Sequence, residues 1–308
     1  MTTVHVVGRG IVGVRLHRLL SGRRPVMVHE GRWHDITGTS PGDVVVLAHG
    51  GDVADRVRQL VARGLHVVTV GDSPTDALDL LHDPPEHLGT SLVLGAAMSP
   101  GLSGLIARHL ANQLATVDEI HVAIHGTAGP ACARVHHRSL SGLSPGYRDG
   151  DWIDFVGGSG RELCWFPEPI GAKDCYRARI SSPYVLQHAF GDVSRISARR
   201  SARRRDRFTA WLPMLRAPHP EGGVGGLRVE VRGADERGAR QVAIAGIAEL
   251  VGTAAAATAA AFVTGVLDGL VHEGLVVAGD AELPTVELLS RVEAVGVRLQ
   301  EFTGIPQP

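Results

Sequence analysis

Three groups of residues in the 308-residue chain carry the types and spacings that chemistry needs. The first is Gly8-Arg9-Gly10-Ile11-Val12-Gly13, a G-x-G-x-x-G run. Between a strand and a helix, glycines so spaced allow a tight turn at Gly8 and approach of a diphosphate to the backbone at Gly10. Gly13 would let the helix pack close to the strand. Free N–H groups at the helix start, where Ile11 and Val12 lie, would then hold the phosphates. The second group is Glu30, about 20 positions beyond Gly10, with Arg9 and Arg32 nearby. A carboxylate there takes both hydroxyls of an adenine ribose and repels a 2′-phosphate, which favours NAD; the two arginines would instead bind that phosphate and favour NADP. NAD is the preferred reading. The third group lies in the middle of the chain. His125, His136, His137, Lys173 and Tyr176 can exchange a proton, and Arg138 and Arg177 can grip a carboxylate.

Each group has a plainer explanation. A chain with 39 Gly produces G-x-G-x-x-G by chance, and a tight turn need bind no nucleotide. A lone histidine on a sheet face is more often a hydrogen-bonded surface residue, and Lys173, the single lysine, more often a solvated side chain. A metal site needs three or four ligands with converging geometry, and none is expected.

The surrounding elements give the glycine run its setting. An apolar strand over residues 3–7 precedes it, and Val12, Leu16, Leu19 and Leu20 form one helical stripe after it. Further strands are predicted at 25–29, 44–47, 65–70 and 91–94. A helix with Val53, Val57, Leu60 and Val61 on one face ends at Gly64, and a short helix spans 74–82. Short, continuously apolar strands alternating with helices predict a doubly wound parallel sheet, an α/β fold of Rossmann type. Ligands in such sheets bind beyond the carboxyl ends of the strands. Ala48, His49 and Gly50, then Gly71, then Ser99 fall in those loops. Ser99 is placed to cap a helix over 102–114 whose first position would be Pro100.

After residue 117 the pattern changes. Residues 118–125 alternate, and 227–232 with 242–247 read as a hairpin, so a second, α+β domain on a mixed or antiparallel sheet is expected over 118–249. The dinucleotide domain would be 1–117, with the helices of 250–308 returning to cover it. Residues 126–132 read as a loop.

Composition narrows the classes. The 31 basic and 32 acidic residues leave a formal charge of -1, and 44% of residues are hydrophobic. Nucleic-acid wrapping and disorder both lose ground. The arginines at 195, 199, 200, 203, 204, 205 and 207 have no interleaved aromatic platform, so they read as a solvated strand face or a subunit contact. The charge-free stretch 250–267 is dominated by Ala, Thr and Gly and reads as a tightly packed helix of a protein without membrane contact. The start shows no secretory pattern, and three cysteines without a C-x-x-C pair imply a reducing compartment; the cytoplasm is the expected location.

The glycine run together with Gly95-x-x-x-Ser99-Pro100-Gly101-Leu102 resembles the saccharopine dehydrogenase-like oxidoreductases, as does the Gly/Ala-rich helix followed by residues 269–274 and Leu283-Pro284. The similarity covers about half of the chain and leaves 120–245 without a placed substrate motif. It implies the fold and a hydride-transfer chemistry, not a substrate; the preferred reading is an NAD(P)-dependent dehydrogenase or reductase acting on an amino-acid-like, carboxylate-bearing small molecule through a carbonyl, imine or secondary amine. It also implies a homodimer through the second-domain sheet. The proton and carboxylate roles would fall to His125, His137, Lys173, Tyr176 and Arg177. The alternative is a dinucleotide-binding protein that senses redox state without turnover.

Overall fold

The computed structural model describes residues 2–21, 25–29, 36, 38–51, 53–71, 73–86, 89–214 and 217–302, the side chains of Val28 and His29 excepted. Continuous apolar runs become β1 (Val4–Val7), β2 (Val26–His29), β3 (Val44–Leu47), β4 (His66–Thr69) and β5 (Ser91–Leu94). β1, β3 and β5 are buried at every residue, the condition of strands covered on both faces. The covering helices include α1 (Ile11–Leu20), α2 (Ala54–Ala62) and α3 (Pro74–His82). Leu16 and Leu20 on α1, and Val57, Leu60 and Val61 on α2, are the buried stripes that the spacing predicts. Gly64 takes φ 73° just past α2, the left-handed conformation of a helix-ending glycine.

The segment after β5 departs from expectation. Helix α4 (Leu102–Ala111) starts at Leu102, with Gly101 at φ 128° as its cap residue, so Ser99 does not cap it and Pro100 is not its first residue. The loop closes on itself instead: the Ala97 N–H donates to the Pro100 carbonyl and the Leu102 N–H to the Ala97 carbonyl, each at 2.9 Å. A side chain at 101 would lie 2.3 Å from the Ala97 oxygen, so this turn requires glycine. Ser99 Oγ bonds Ser103 Oγ at 3.1 Å and Ser182 Oγ at 2.8 Å.

The chain then builds a second sheet. In order come β6 (Thr116–His125), α5 (Pro130–Arg138), β7 (Leu143–Arg148), β8 (Asp151–Val156), β9 (Glu162–Phe166), β10 (Gly171–Arg177), α6 (Ser182–Ala189), β11 (Arg195–Ser201), α7 (Arg204–Thr209), β12 (Val224–Ala234) and β13 (Arg240–Leu250). The nine-stranded sheet includes β15 (Gln300–Glu301) at its edge and runs β15-β13-β12-β6-β11-β10-β9, with β7 on β11 and β8 on β7. β6 and β11 are parallel and the other pairs antiparallel, so the sheet is mixed as expected. Alternation sorts its faces: Ile120, Val122 and Ile124 join the main core, while His121 and His125 point to the other side. The arginine run obeys the same parity. Arg195 and Arg199 lie on the outer face, but Arg200 points inward and is buried, which corrects the reading of the run as wholly solvated. The region 126–132 is also corrected, since α5 starts at Pro130.

The Ala-rich stretch forms α8 (Val251–Leu267), buried on nearly every face and packed on α1. Next, β14 (Gly274–Val277) pairs parallel to β5, and α9 (Thr285–Glu293) follows. The first sheet is therefore six-stranded and parallel, in the order β14-β5-β4-β3-β1-β2. Among the described residues, no helix is long and apolar enough to cross a membrane.

Candidate active site

The strand order reverses at β1: β2 lies on one side, and β3, β4, β5 and β14 on the other. Such a switch point opens a crevice beyond the carboxyl ends of β1 and β3. The glycine run occupies it, and its three glycines answer to different constraints. Gly8 adopts φ 132°, and a Cβ there would sit 2.4 Å from the Ala48 oxygen. A Cβ on Gly13 would come within 2.0 Å of the Gly8 oxygen. At Gly10 a Cβ would meet nothing within 4 Å. Turn and helix packing thus demand glycine at 8 and 13, whereas Gly10 leaves open space in front of the helix. No side chain caps α1, and its first turn holds no acidic residue, so its leading N–H groups face that space.

A cavity of about 570 Å³ lies here. Residues 8–12, Ala48, His49, Gly50, Gly71 and Ser99 all line it. Gly13 sits behind the loop, and Glu30 and Arg32 lie outside the described residues. His49 is held by its neighbours: its Nδ1 is 3.0 Å from the Gly50 carbonyl, and Arg56 donates to its Nε2 at 2.7 Å. Burial first, then the Arg56 charge, push its pKa down, so the imidazole is neutral and donates from Nδ1. The facing wall comes from the second domain and includes Ile124, Ala128, Gly129, Cys132 and His136.

A second lobe of about 650 Å³ shares Gly50, Gly71 and Val135 with the first. The start of α3 and the end of β5 form one side of it, and Arg138, Arg179 and Trp211 of the second domain another. Helix α5 runs along both lobes, its first turns toward the glycine loop and its last toward the second lobe.

None of His125, His137, Lys173, Tyr176 and Arg177 lines either lobe. Strand parity explains most of this. His125 lies on the outer sheet face, with Nδ1 2.6 Å from Ser201 Oγ; burial and the Lys173 and Arg200 charges push its pKa to about 4. Lys173 pairs across the strands with Cys164. The Arg177 guanidinium stacks 3.7 Å from the Phe155 ring centroid. Tyr176 points inward but is fully buried, and His137 Nε2 lies 2.9 Å from the Thr209 carbonyl.

His136, the remaining histidine candidate, does line the first lobe. It is buried, with its ring nitrogens 3.7 and 3.8 Å from Cys132 Sγ one turn earlier. Burial, reinforced by the Arg200 charge, holds its pKa well below the ordinary histidine value. Sequence reasoning missed Cys132 and Arg179. For Cys132 a signal existed: Gly129-Pro130 is a helix opening, and positions 132 and 136 share a helix face. Among the described residues, no group of three His, Cys, Asp or Glu side chains converges as metal ligands do.

A parallel sheet with a switch-point glycine loop, joined across a cleft to a mixed-sheet domain, defines a Rossmann-type α/β architecture with a second α+β domain. Comparison with solved structures makes this more particular. The fold is similar to that of saccharopine dehydrogenase (L-Glu forming) from Saccharomyces cerevisiae, with a TM-score of 0.68 and 11% identity over 98% of this chain and 100% of that one. DAP dehydrogenase of C. glutamicum (TM-score 0.49, 14% identity, 95% and 98% covered) is a looser match. So is amine dehydrogenase from Mycobacterium smegmatis (0.48, 13%, 91% and 95%). The sequence matches no protein-family model and no curated protein. The resemblance to saccharopine dehydrogenase-like proteins is therefore one of fold, carried by the first of these structures.

Proposed function

We propose that this chain is an NAD(P)-dependent oxidoreductase that transfers hydride to or from an amino-acid-like carbonyl, imine or secondary amine. The observation that carries the proposal is the open space at Gly10, at a switch point, in a cleft walled by both domains. An added Cβ at Gly10 would meet no protein atom within 4 Å, which supports a diphosphate lying against the loop. The backbone N–H groups at Ile11 and Val12 hold it, while Gly8 and Gly13 keep the loop tight against β3 and α1. Ala48, His49, Gly50 and Gly71 line the path from the diphosphate toward Ser99. Glu30 is the basis for proposing NAD over NADP. When bound, the nicotinamide supplies the hydride donor or acceptor.

The facing wall presents His136, which burial keeps neutral, with the Cys132 thiol one turn away; a neutral imidazole there can hydrogen-bond the substrate or cofactor.

The test is a turnover screen with NADH or NADPH, 2-oxo acids, and ammonium or primary amines, following loss of the reduced nicotinamide absorbance. Consumption with at least one substrate is expected. Binding without consumption would support the redox-sensing alternative, and no binding of either coenzyme would overturn the proposal.

A further inference from the structure

The second lobe has a chemistry that the dinucleotide does not use. Two guanidiniums, of Arg138 and Arg179, reach it from the second domain. Arginines elsewhere in this protein are commonly matched to acids: Arg58 with Asp79, Arg199 with Glu162, Arg228 and Arg232 with Glu230, Arg291 with Asp268. Among the described residues, no ion pair or side-chain hydrogen bond engages Arg138. Arg179 makes one long hydrogen bond, from Nη2 to Thr75 Oγ1 at 3.5 Å. The one acid described in the lining, Asp76, is buried and accepts the Val53 N–H at 3.1 Å, so it does not neutralise them. Hydroxyls of Ser73, Thr75 and Ser141 share the rest of the wall with the apolar Val53, Ala77, Leu94, Val135 and Val185, and Trp211 stands exposed at the edge.

We infer that this lobe binds a substrate with one carboxylate and an apolar body, the carboxylate held by Arg138 and Arg179 and the body lying against the valine and leucine wall. The inference rests on the oxidoreductase reading and specifies its substrate class: a 2-oxo acid, or the corresponding amino acid, with a branched-aliphatic or aromatic side chain. A volume of about 650 Å³ accommodates such a molecule. A carboxylate displaces water from two cations that no acid among the described residues neutralises, and planar guanidinium forks suit its two oxygens. A second carboxylate on the substrate would forgo contact with the valine and leucine side chains and find no further cation described in the lining.

Calorimetric titration of NADH-saturated protein with phenylpyruvate, its methyl ester, 4-methyl-2-oxopentanoate and 2-oxoglutarate tests this. Phenylpyruvate or 4-methyl-2-oxopentanoate should bind about tenfold or more tightly than 2-oxoglutarate, and phenylpyruvate should exceed its ester by a similar factor. The double variant Arg138→Gln/Arg179→Gln should lose the acid-over-ester preference while its NADH affinity stays within about twofold. Both arginines are exposed, so the variant is expected to fold, and its melting temperature checks that. Equal binding of acid and ester, tighter binding of 2-oxoglutarate, a preference that survives the double substitution, or no oxo-acid binding despite NADH binding would each overturn the inference alone. Failure of NADH itself to bind would remove the oxidoreductase reading, and the inference with it.

Discussion

Gly10→Ala separates the needs of the fold from those of a ligand. The backbone at Gly10 has φ −68° and ψ 175°, which any residue adopts, and the new methyl would meet no protein atom within 4 Å. Alanine gains by narrowing the unfolded ensemble and loses as a poorer helix cap, so stability should change by no more than about 1 kcal/mol. Gly13→Ala is the control. Its methyl would press on the Gly8 oxygen from 2.0 Å, and neither backbone segment can retreat without moving α1 or the loop. Overpacking of that kind costs about 1–3 kcal/mol or more, against about 1 kcal/mol gained in helix propensity. Thermal unfolding should therefore show Gly10→Ala near the parent and Gly13→Ala below it. Calorimetric NADH binding should show the reverse emphasis at position 10: a methyl in the diphosphate approach should weaken affinity by about tenfold to a hundredfold, or about 1.4–2.7 kcal/mol. An affinity within twofold of the parent would refute the placement of the diphosphate. A melting temperature as low as that of Gly13→Ala would refute the claim that the space is open.

Three other outcomes follow from named contacts. Cys132 is half-buried on the cleft wall while Cys164 and Cys175 are buried, so one thiol should react readily with iodoacetamide in the native state. Saturating dinucleotide should slow that alkylation, and mass mapping should place it at Cys132; equal rates with and without ligand would argue against a shared cleft. His125 is depressed from an ordinary value near 6.5 to about 4, so the unfolded chain takes up its proton first as pH falls. Its contribution to stability is present above pH 6.5 and fades toward pH 4, at about 1.4 kcal/mol per pH unit within that window. In urea midpoints measured across this range, His125→Gln should flatten the pH dependence, and an unchanged slope would contradict the depressed value. Glu230, buried between Arg228 and Arg232 at 2.6 and 2.5 Å, should cost about 1–3 kcal/mol when changed to Ala, because the partly buried Arg228 loses its counter-charge while the exposed Arg232 keeps Glu119 at 3.2 Å; denaturant unfolding measures this.

The legible parts of this chain are those whose structure is set by nearby residues. The first five strands announce themselves as short apolar runs because both of their faces are covered, and the glycine loop is legible because turn, helix start and strand end are adjacent in sequence. The strands β7 to β10 were hidden. Tyr147, Trp152 and Trp165 alternate with charged and small residues at the sheet margin, where neither face need be apolar throughout. β14 was hidden as well, being four residues inserted at the edge of a sheet begun far earlier in the chain. In the cleft, the wall from the first domain was readable; of the facing wall the sequence named His136 and Arg138 but gave no ground for preferring them to the other candidates. His136, Arg138 and Arg179 reach the cleft because α5 and the segment after β10 close over the first sheet, a long-range event without a local signal. Parity, knowable only once the sheet order is known, sends His125 and Lys173 to the other face.

The most direct measurement is a crystal structure of the protein soaked with NAD or NADP at millimolar concentration. The account predicts a diphosphate within hydrogen-bonding distance of the backbone N–H groups at Ile11 and Val12, and a nicotinamide on the side of Ser99 and His136. A dinucleotide bound anywhere else, or a cleft that stays empty at saturating coenzyme, would contradict it.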